Sequence, residues 1–251
     1  MEKSPKAQAE LFHLLFLRQL HQQIEANLYS IKGGCNLRFF FNSIRYSEDL
    51  DIDVHIIQKE TLEKKVNGIL ASPVFLRTLQ AYDITSIHFS SPKQSAVTQR
   101  WKIQLQIANS DLLLPTKIEF SRRQHHFKSE LTSIAALFCQ QYKFPPCRLS
   151  HYGSADALEQ KILALAHRSL TQTRDVFDIH LLLHQASPAS LPLEMAVLKK
   201  AKNALFSLHF SDYQSQVVNF LEPQHQKDYK DKKAWESIVN MVAEYLSSMQ
   251  K

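Results

Sequence analysis

Asp49, Asp51 and Asp53 alternate with Leu50, Ile52 and Val54. On a strand this spacing puts three carboxylates on one face, about 6–7 Å apart. Like charges at that distance repel, so the pattern suits either a solvated outer face with the apolar residues packed inward or a site that needs negative charge. Two carboxylates so placed hold Mg2+ or Mn2+, hard cations that take carboxylate and phosphate oxygens together. Such a site positions an in-line attack and offsets charge on a transferring phosphorus. Glu119, between Ile118 and Phe120 in an apolar stretch, is either an exposed strand residue or a third carboxylate, acting as metal ligand or general base.

Other residues fit phosphate chemistry. The chain has 4 glycines, and two of them, Gly33 and Gly34, are adjacent. The pair makes a tight turn, or a loop whose bare backbone lets a phosphate approach the N–H groups of a helix start. Neither a Gly-x-Gly-x-x-Gly nor a Walker pattern is present. Downstream, Lys161 and Arg168 are two helical turns apart and share a face. Asp175 and Asp178 follow one turn apart among apolar residues. The chemistry-bearing reading puts Lys161 on a triphosphate, oriented by Asp175 or Asp178; the plain one is two amphipathic helices with solvated charges. Arg122, Arg123, His125, His126 and Lys128 cluster just past Glu119 and would form a basic rim for an RNA acceptor, with Arg122 and Arg123 as its contacts. No His-Glu-x-x-His pattern occurs among the 12 histidines, and Trp101 and Trp235 read as packing residues.

Composition sets the bounds. A length of 251 residues suits one large domain or two modest ones. The net charge of +6 suits a polyanionic partner such as a nucleotide or RNA. No apolar run reaches the roughly 20 residues of a membrane span, and the N-terminus lacks the apolar core of a secretory signal. The 3 cysteines lack metal-ligand spacing and read as reduced thiols of a cytoplasmic protein.

These residues need elements to place them. Apolar spacing predicts a long helix over Ala7–Tyr29, a glycine turn, and a short helix over Asn36–Phe41. A strand is expected over Asp49–Ile57 and a helix over Thr61–Gln80, capped by Thr61. Ile84–Phe89, Thr98–Ala108 and Leu112–Ser121 read as successive antiparallel strands. Tyr142–Leu149, with Pro145 and Pro146, reads as a connector. Ser154–His167 and Gln172–His184 read as helices, and most of the remainder is helical too. The expected fold is α+β, with an α+β part over 1–145 and a helical part over 146–251.

In order, Lys32-Gly33-Gly34, Arg45-x-Ser47-x-Asp49-Leu50-Asp51, Lys117-Ile118-Glu119, Lys161 and Arg174-Asp175-Val176-Phe177-Asp178 resemble the AbiEii/AbiGii toxin family of nucleotidyltransferases. The resemblance implies a polymerase-β-like nucleotidyltransferase core, a mixed sheet flanked by helices, with the helical part completing the active-site cleft and Lys161 bridging it. It implies a toxin of a bacterial toxin–antitoxin or abortive-infection (phage-defence) system that uses an NTP, with a cognate antitoxin and tRNA as the favoured acceptor. By position, Asp49 and Asp51 match the metal-binding pair and Glu119 a third acid. Lys32, Gly33, Gly34, Arg45, Ser47 and Lys161 surround the nucleotide, and Asp175 and Asp178 belong to the downstream catalytic motif. Cys35 stands where the wider superfamily favours serine, which removes a hydroxyl from the phosphate loop. The reaction implied is Mg2+-dependent transfer of NMP from an NTP to RNA with release of pyrophosphate. A non-catalytic regulator on the same fold and a metal-dependent nuclease are the alternatives.

Overall fold

A computed structural model describes residues 4–122, 127–185 and 191–249. The elements are α1 (Pro5–Gln23), β1 (Tyr29–Lys32), α2 (Gly33–Phe40), β2 (Asp49–Val54), α3 (Lys59–Leu70), α4 (Pro73–Gln80), β3 (Ile84–Gln94), β4 (Thr98–Ile107), β5 (Leu113–Ser121), β6 (Ser129–Ser133), α5 (Ala136–Tyr142), β7 (Arg148–Tyr152), α6 (Ser154–His167), α7 (Thr173–Leu183), α8 (Met195–Phe206), α9 (Phe210–Gln216), α10 (Pro223–Tyr229) and α11 (Lys232–Ser248). The chain divides into two compact units, Met1–Phe40 with Ser47–Tyr152 and Phe41–Tyr46 with Gly153–Lys251.

The first unit is built on one seven-stranded mixed sheet in the order β3-β4-β5-β2-β1-β7-β6. β2, which carries the acids, is its central strand. β2 pairs antiparallel with β1 and parallel with β5, and β3, β4 and β5 form an antiparallel meander. Alternation sorts the two faces. Trp101, Ile103, Leu105, Ile118, Phe120, Leu50 and Ile52 are buried, and α1, α3 and α4 pack with this side of the sheet. Trp101 meets Phe120 edge to face with ring centres 5.6 Å apart, and its indole N–H donates to Asn67 at 2.8 Å. The intervening residues, Arg100, Lys102, Lys117, Glu119, Asp49 and Asp51, share the opposite face.

The second unit is helical, α6 to α11, and its apolar centre includes Leu158, Ile162, Val176, Phe177, Leu198, Tyr213, Trp235 and Val242. Tyr213 stacks on Trp235 at 4.8 Å. The segment Phe41–Tyr46 joins this unit through a backbone bridge between Arg45 and Leu221.

The differences from the sequence expectation have local causes. The first helix stops at Gln23 because Ile24 turns extended, and Tyr29–Lys32 is taken into the sheet between β2 and β7. The expected helix over Thr61–Gln80 is two. Ser72 accepts a hydrogen bond from the Phe75 N–H and Pro73 follows at the first helical turn, a stop-and-restart signal. Gln58, not Thr61, is the cap residue of α3. The division between units follows Tyr152 rather than residue 145, because Arg148–Tyr152 pairs with β1 and β6 in the sheet.

Candidate active site

The β1–α2 junction answers why two glycines precede the acids. Gly33 has φ +67°, a left-handed conformation that favours glycine. A β-carbon there would lie 3.1 Å from Asp51 Oδ2. Gly33 is therefore required twice, for the turn and for the approach of α2's first residue to a carboxylate. Gly33→Ala is expected to cost about 1–2 kcal/mol from the backbone alone and to push Asp51 aside, with loss of transfer. Thermal melts check this: the penalty of Gly33→Ala should be smaller in an Asp51→Ala background, where the contact is gone.

Register sets the acids among cations. Asp49 is opposite Lys117 and Asp51 opposite Glu119, with Lys32 opposite Asp51 on the other side. Asp49 Oδ2 takes the Lys117 ammonium at 3.0 Å, and Glu119 Oε2 takes the Arg100 guanidinium at 2.7 Å. Lys32 sits on Asp53 and donates to Ser121 Oγ at 2.9 Å, while Tyr152 donates its hydroxyl to Asp53 Oδ2 at 3.0 Å. Asp51 is the exception. Among the described residues it has no ion pair within 4 Å. Burial pushes its carboxyl above the usual range, Lys117 and Lys32 pull it down in part, and Asp49 and Glu119 push it up further.

Asp49 is also braced through its backbone. Ser47 Oγ and the Cys35 thiol both donate to the Asp49 carbonyl, at 2.9 and 3.3 Å. Ser47 thus shapes the acid strand. Cys35 is 1% exposed, and burial raises its thiol well above the ordinary range. It stays a neutral packing residue, in contact with His13 at 3.6 Å.

The downstream motif forms a buried network within the second unit. Asp178 takes Arg45 through Nε at 3.1 Å and Nη2 at 2.9 Å, and takes Lys161 at 2.7 Å. Asp175 takes Lys161 at 3.3 Å and Arg168 Nε at 2.6 Å. Both carboxylates are 0% exposed. Burial raises the Asp178 carboxyl, but Arg45 and Lys161 together outweigh it and hold it below the usual range. Arg45, Lys161 and Arg168 thus converge on the two carboxylates.

Arg122 is tied to neutral acceptors, and its buried Nη1 has no hydrogen-bond partner among the described residues. Its Nε donates to the Ile57 carbonyl at 3.2 Å and its Nη2 to Gln99. It follows the Ser121–Asp53 end of the sheet, beyond Asp49 and Asp51. Arg123, His125 and His126 lie outside the described residues. Arg100 and Tyr152 escaped the sequence reading, and Lys117 and Asp53 were named there without their ion pairs. Period-two alternation on β4 and β5 was the available signal for Arg100 and Lys117. Nothing local marks Tyr152, which reaches Asp53 across 99 residues.

A central strand with alternating acids, beside a glycine turn that opens a helix on a mixed α+β sheet, defines the nucleotidyltransferase class. The sequence matches the family described as nucleotidyl transferase AbiEii toxin, type IV toxin–antitoxin system, over residues 15–248, and the chain belongs to it. It is a nucleotidyltransferase toxin of that family, which implies an NTP substrate and an antitoxin partner. Among solved structures it is similar to MenT4, a nucleotidyltransferase toxin from Mycobacterium tuberculosis H37Rv, with TM-score 0.65, 18% identity, and 98% of this chain and 86% of that one covered. It is also similar to JHP933 from Helicobacter pylori, with TM-score 0.61, 16% identity, and 100% and 94% covered. No match was found among curated proteins. Among the described residues no helix is long and apolar enough to cross a membrane.

Proposed function

We propose that this toxin transfers NMP from an NTP to the terminal hydroxyl of an RNA, with tRNA the favoured acceptor, in the cytoplasm and with Mg2+ at Asp49 and Asp51. The single observation that carries this reading is Asp51, a carboxylate with no ion pair among the described residues, held against Gly33 at the start of α2. A half-buried carboxylate without an ion pair, set between Asp49 and Glu119, suits a divalent cation.

The residues fit a metal of this kind in one arrangement only. Among the described residues no three His, Cys, Asp or Glu side chains are grouped closely enough to cage an ion, and Glu119 is turned to Arg100. Mg2+ is ordinarily held by one or two carboxylates plus substrate phosphates, which Asp49 and Asp51 supply. When bound, the metal would neutralise charge on the phosphates and orient the α-phosphorus. The rest falls to the chain. The N–H groups of the Gly33-Gly34 turn, at the positive end of α2, receive phosphate oxygens. Lys32, steadied by Asp53 and Ser121, adds positive charge beside them. Glu119 is assigned to take up the hydroxyl proton, on leaving Arg100, as the acceptor oxygen bonds to the α-phosphorus and pyrophosphate leaves. Lys161 is assigned to the phosphates of the nucleotide, a role that suits a compact ammonium oriented by Asp175 and Asp178. Lys161→Ala should raise the KM for NTP about tenfold, and Lys161→Arg should restore it only in part. An unchanged nucleotide affinity by titration would make Lys161 structural.

Incubation with each α-labelled NTP, total RNA and Mg2+ tests the reaction. Label entering RNA is the expected result. Label entering protein would move the acceptor to another class, fragmentation of RNA would make the protein a nuclease, and no change would point to a non-catalytic role.

A further inference from the structure

The acid face of the sheet continues beyond Asp49 into a groove of about 610 Å3, whose lining includes Asp49, Lys117, Lys102, Gln104, His88 and Ser90. The pairings show how it is built. Lys102 is directly opposite Lys117, Gln104 opposite Pro115, Ser90 opposite Lys102 and His88 opposite Gln104. These side chains therefore stand together on the side away from α1, α3 and α4. Except for Asp49 and Glu48 at its end, the groove's charged and polar lining side chains can all donate a hydrogen bond.

The Lys102–Lys117 pair is the informative feature. Like charges directly opposite on neighbouring strands are destabilising. Lys117 has Asp49 as a counterion, whereas Lys102 is exposed and makes no ion pair among the described residues. A fold that keeps such a pair on an open face has a use for an anion between them. A cation at Asp49 would also release Lys117 toward the groove.

Direction then assigns the occupant. The glycine turn and Lys32 lie on the β1 side of the acids, and the groove lies on the β5 side. In phosphoryl transfer the attacking and leaving oxygens are roughly in line. Pyrophosphate leaving on the α2 side puts the nucleophile on the β5 side. We infer that the groove across β3, β4 and β5 seats the 3′ end of the acceptor polynucleotide, with Lys102 and Lys117 on its last phosphates and its terminal hydroxyl at Asp49. This rests on the nucleotidyl-transfer reading above and replaces Arg122 and Arg123 as the acceptor contact.

The test uses the full chain, a fluorescent single-stranded oligoribonucleotide with a free 3′ hydroxyl, and Lys102→Glu and Lys102→Gln variants whose melts match wild type. Anisotropy titrations over a range of salt should show wild type binding the RNA. Lys102→Glu should lose about tenfold or more in affinity, and Lys102→Gln should flatten the salt slope by about one. The KM for NTP should stay within about twofold in both variants, since the phosphate turn is on the other side of β2. RNA binding unchanged in Lys102→Glu overturns the groove assignment while leaving the transferase reading intact. RNA bound and lost as expected, with no label transferred by wild type, upholds the groove and sinks the transfer reading. Wild type that labels only protein and binds no RNA sinks the groove and keeps nucleotidyl transfer.

Discussion

Asp51→Asn is expected to lower transfer about 10²–10³-fold or more while raising the melting temperature of the metal-free protein. Removing a catalytic group and gaining stability is an unusual pairing, and it follows from the geometry. Burial opposes the ionised form of Asp51, Lys117 and Lys32 offset it only in part, and Asp49 and Glu119 oppose it further. Its folded-state carboxyl titrates above the unfolded one, so stability is greatest when it is protonated and falls as pH rises from the ordinary carboxyl range through the raised value. Asparagine removes that penalty. The stability gain should therefore be present at neutral pH and vanish in acid, where wild type is protonated too. Mg2+ should raise the melting temperature of wild type and leave Asp51→Asn unmoved. Asp49→Asn makes the contrast. It should be as inactive, yet melt close to wild type, because the ion pair it gives up with Lys117 is about 30% exposed on both sides and such pairs contribute little. An Asp51→Asn protein that melts lower, or that keeps wild-type turnover, would remove Asp51 from the role of metal ligand.

The acid strand was legible because its chemistry and its period coincide. Asp49, Leu50, Asp51 and Ile52 state both the strand and its two faces, and nothing in the tertiary structure overrules them. The glycine pair was legible as a turn, but the reason for Gly33 was not. Its conflict is with Asp51, 18 positions later in the sequence and brought near only by the pairing of β1 with β2. β1 itself was hidden, since Tyr29–Lys32 extends an apolar helical pattern and becomes a strand only because two neighbours are there to pair it. β6 was hidden for the opposite reason. Ser-Glu-Leu-Thr-Ser is a polar edge strand with every residue exposed, and its sole strand credential is its ladder to β7. The counterions follow the same logic. Lys117 and Arg100 are ordinary surface residues by composition, and only the register makes one the partner of Asp49 and the other the partner of Glu119.

Asp178→Ala should be the most destabilising single change, costing about 3–5 kcal/mol and lowering the melting temperature by about 10 °C. Asp178 is 0% exposed and holds two cations at once, Arg45 through two guanidinium nitrogens and Lys161 through its ammonium. Truncation takes this shared carboxylate from both in low dielectric, while Asp175 is already engaged by Arg168 at 2.6 Å. Breaking one partner out of a buried set costs more than the set contributes as a whole, because the charges left behind stay desolvated. The pH dependence has the opposite sign to that of Asp51. With its folded-state carboxyl held below the ordinary range, Asp178 supplies its full stabilisation at neutral pH, and the loss begins in the ordinary carboxyl range, where the unfolded chain takes up the proton first. That stabilisation is lost as pH falls through the lowered value. Wild type should accordingly show a steeper loss of stability in acid than Asp178→Asn, which has no carboxyl to titrate. Activity alone cannot separate chemistry from folding here, so the decisive pair of readings is a thermal melt and an NTP titration below the variant's own transition. A variant that melts with wild type but does not bind NTP would make Asp178 a nucleotide-site residue rather than the anchor of Arg45 and Lys161. A variant that melts about 10 °C lower yet binds NTP normally when folded fixes its role as that anchor.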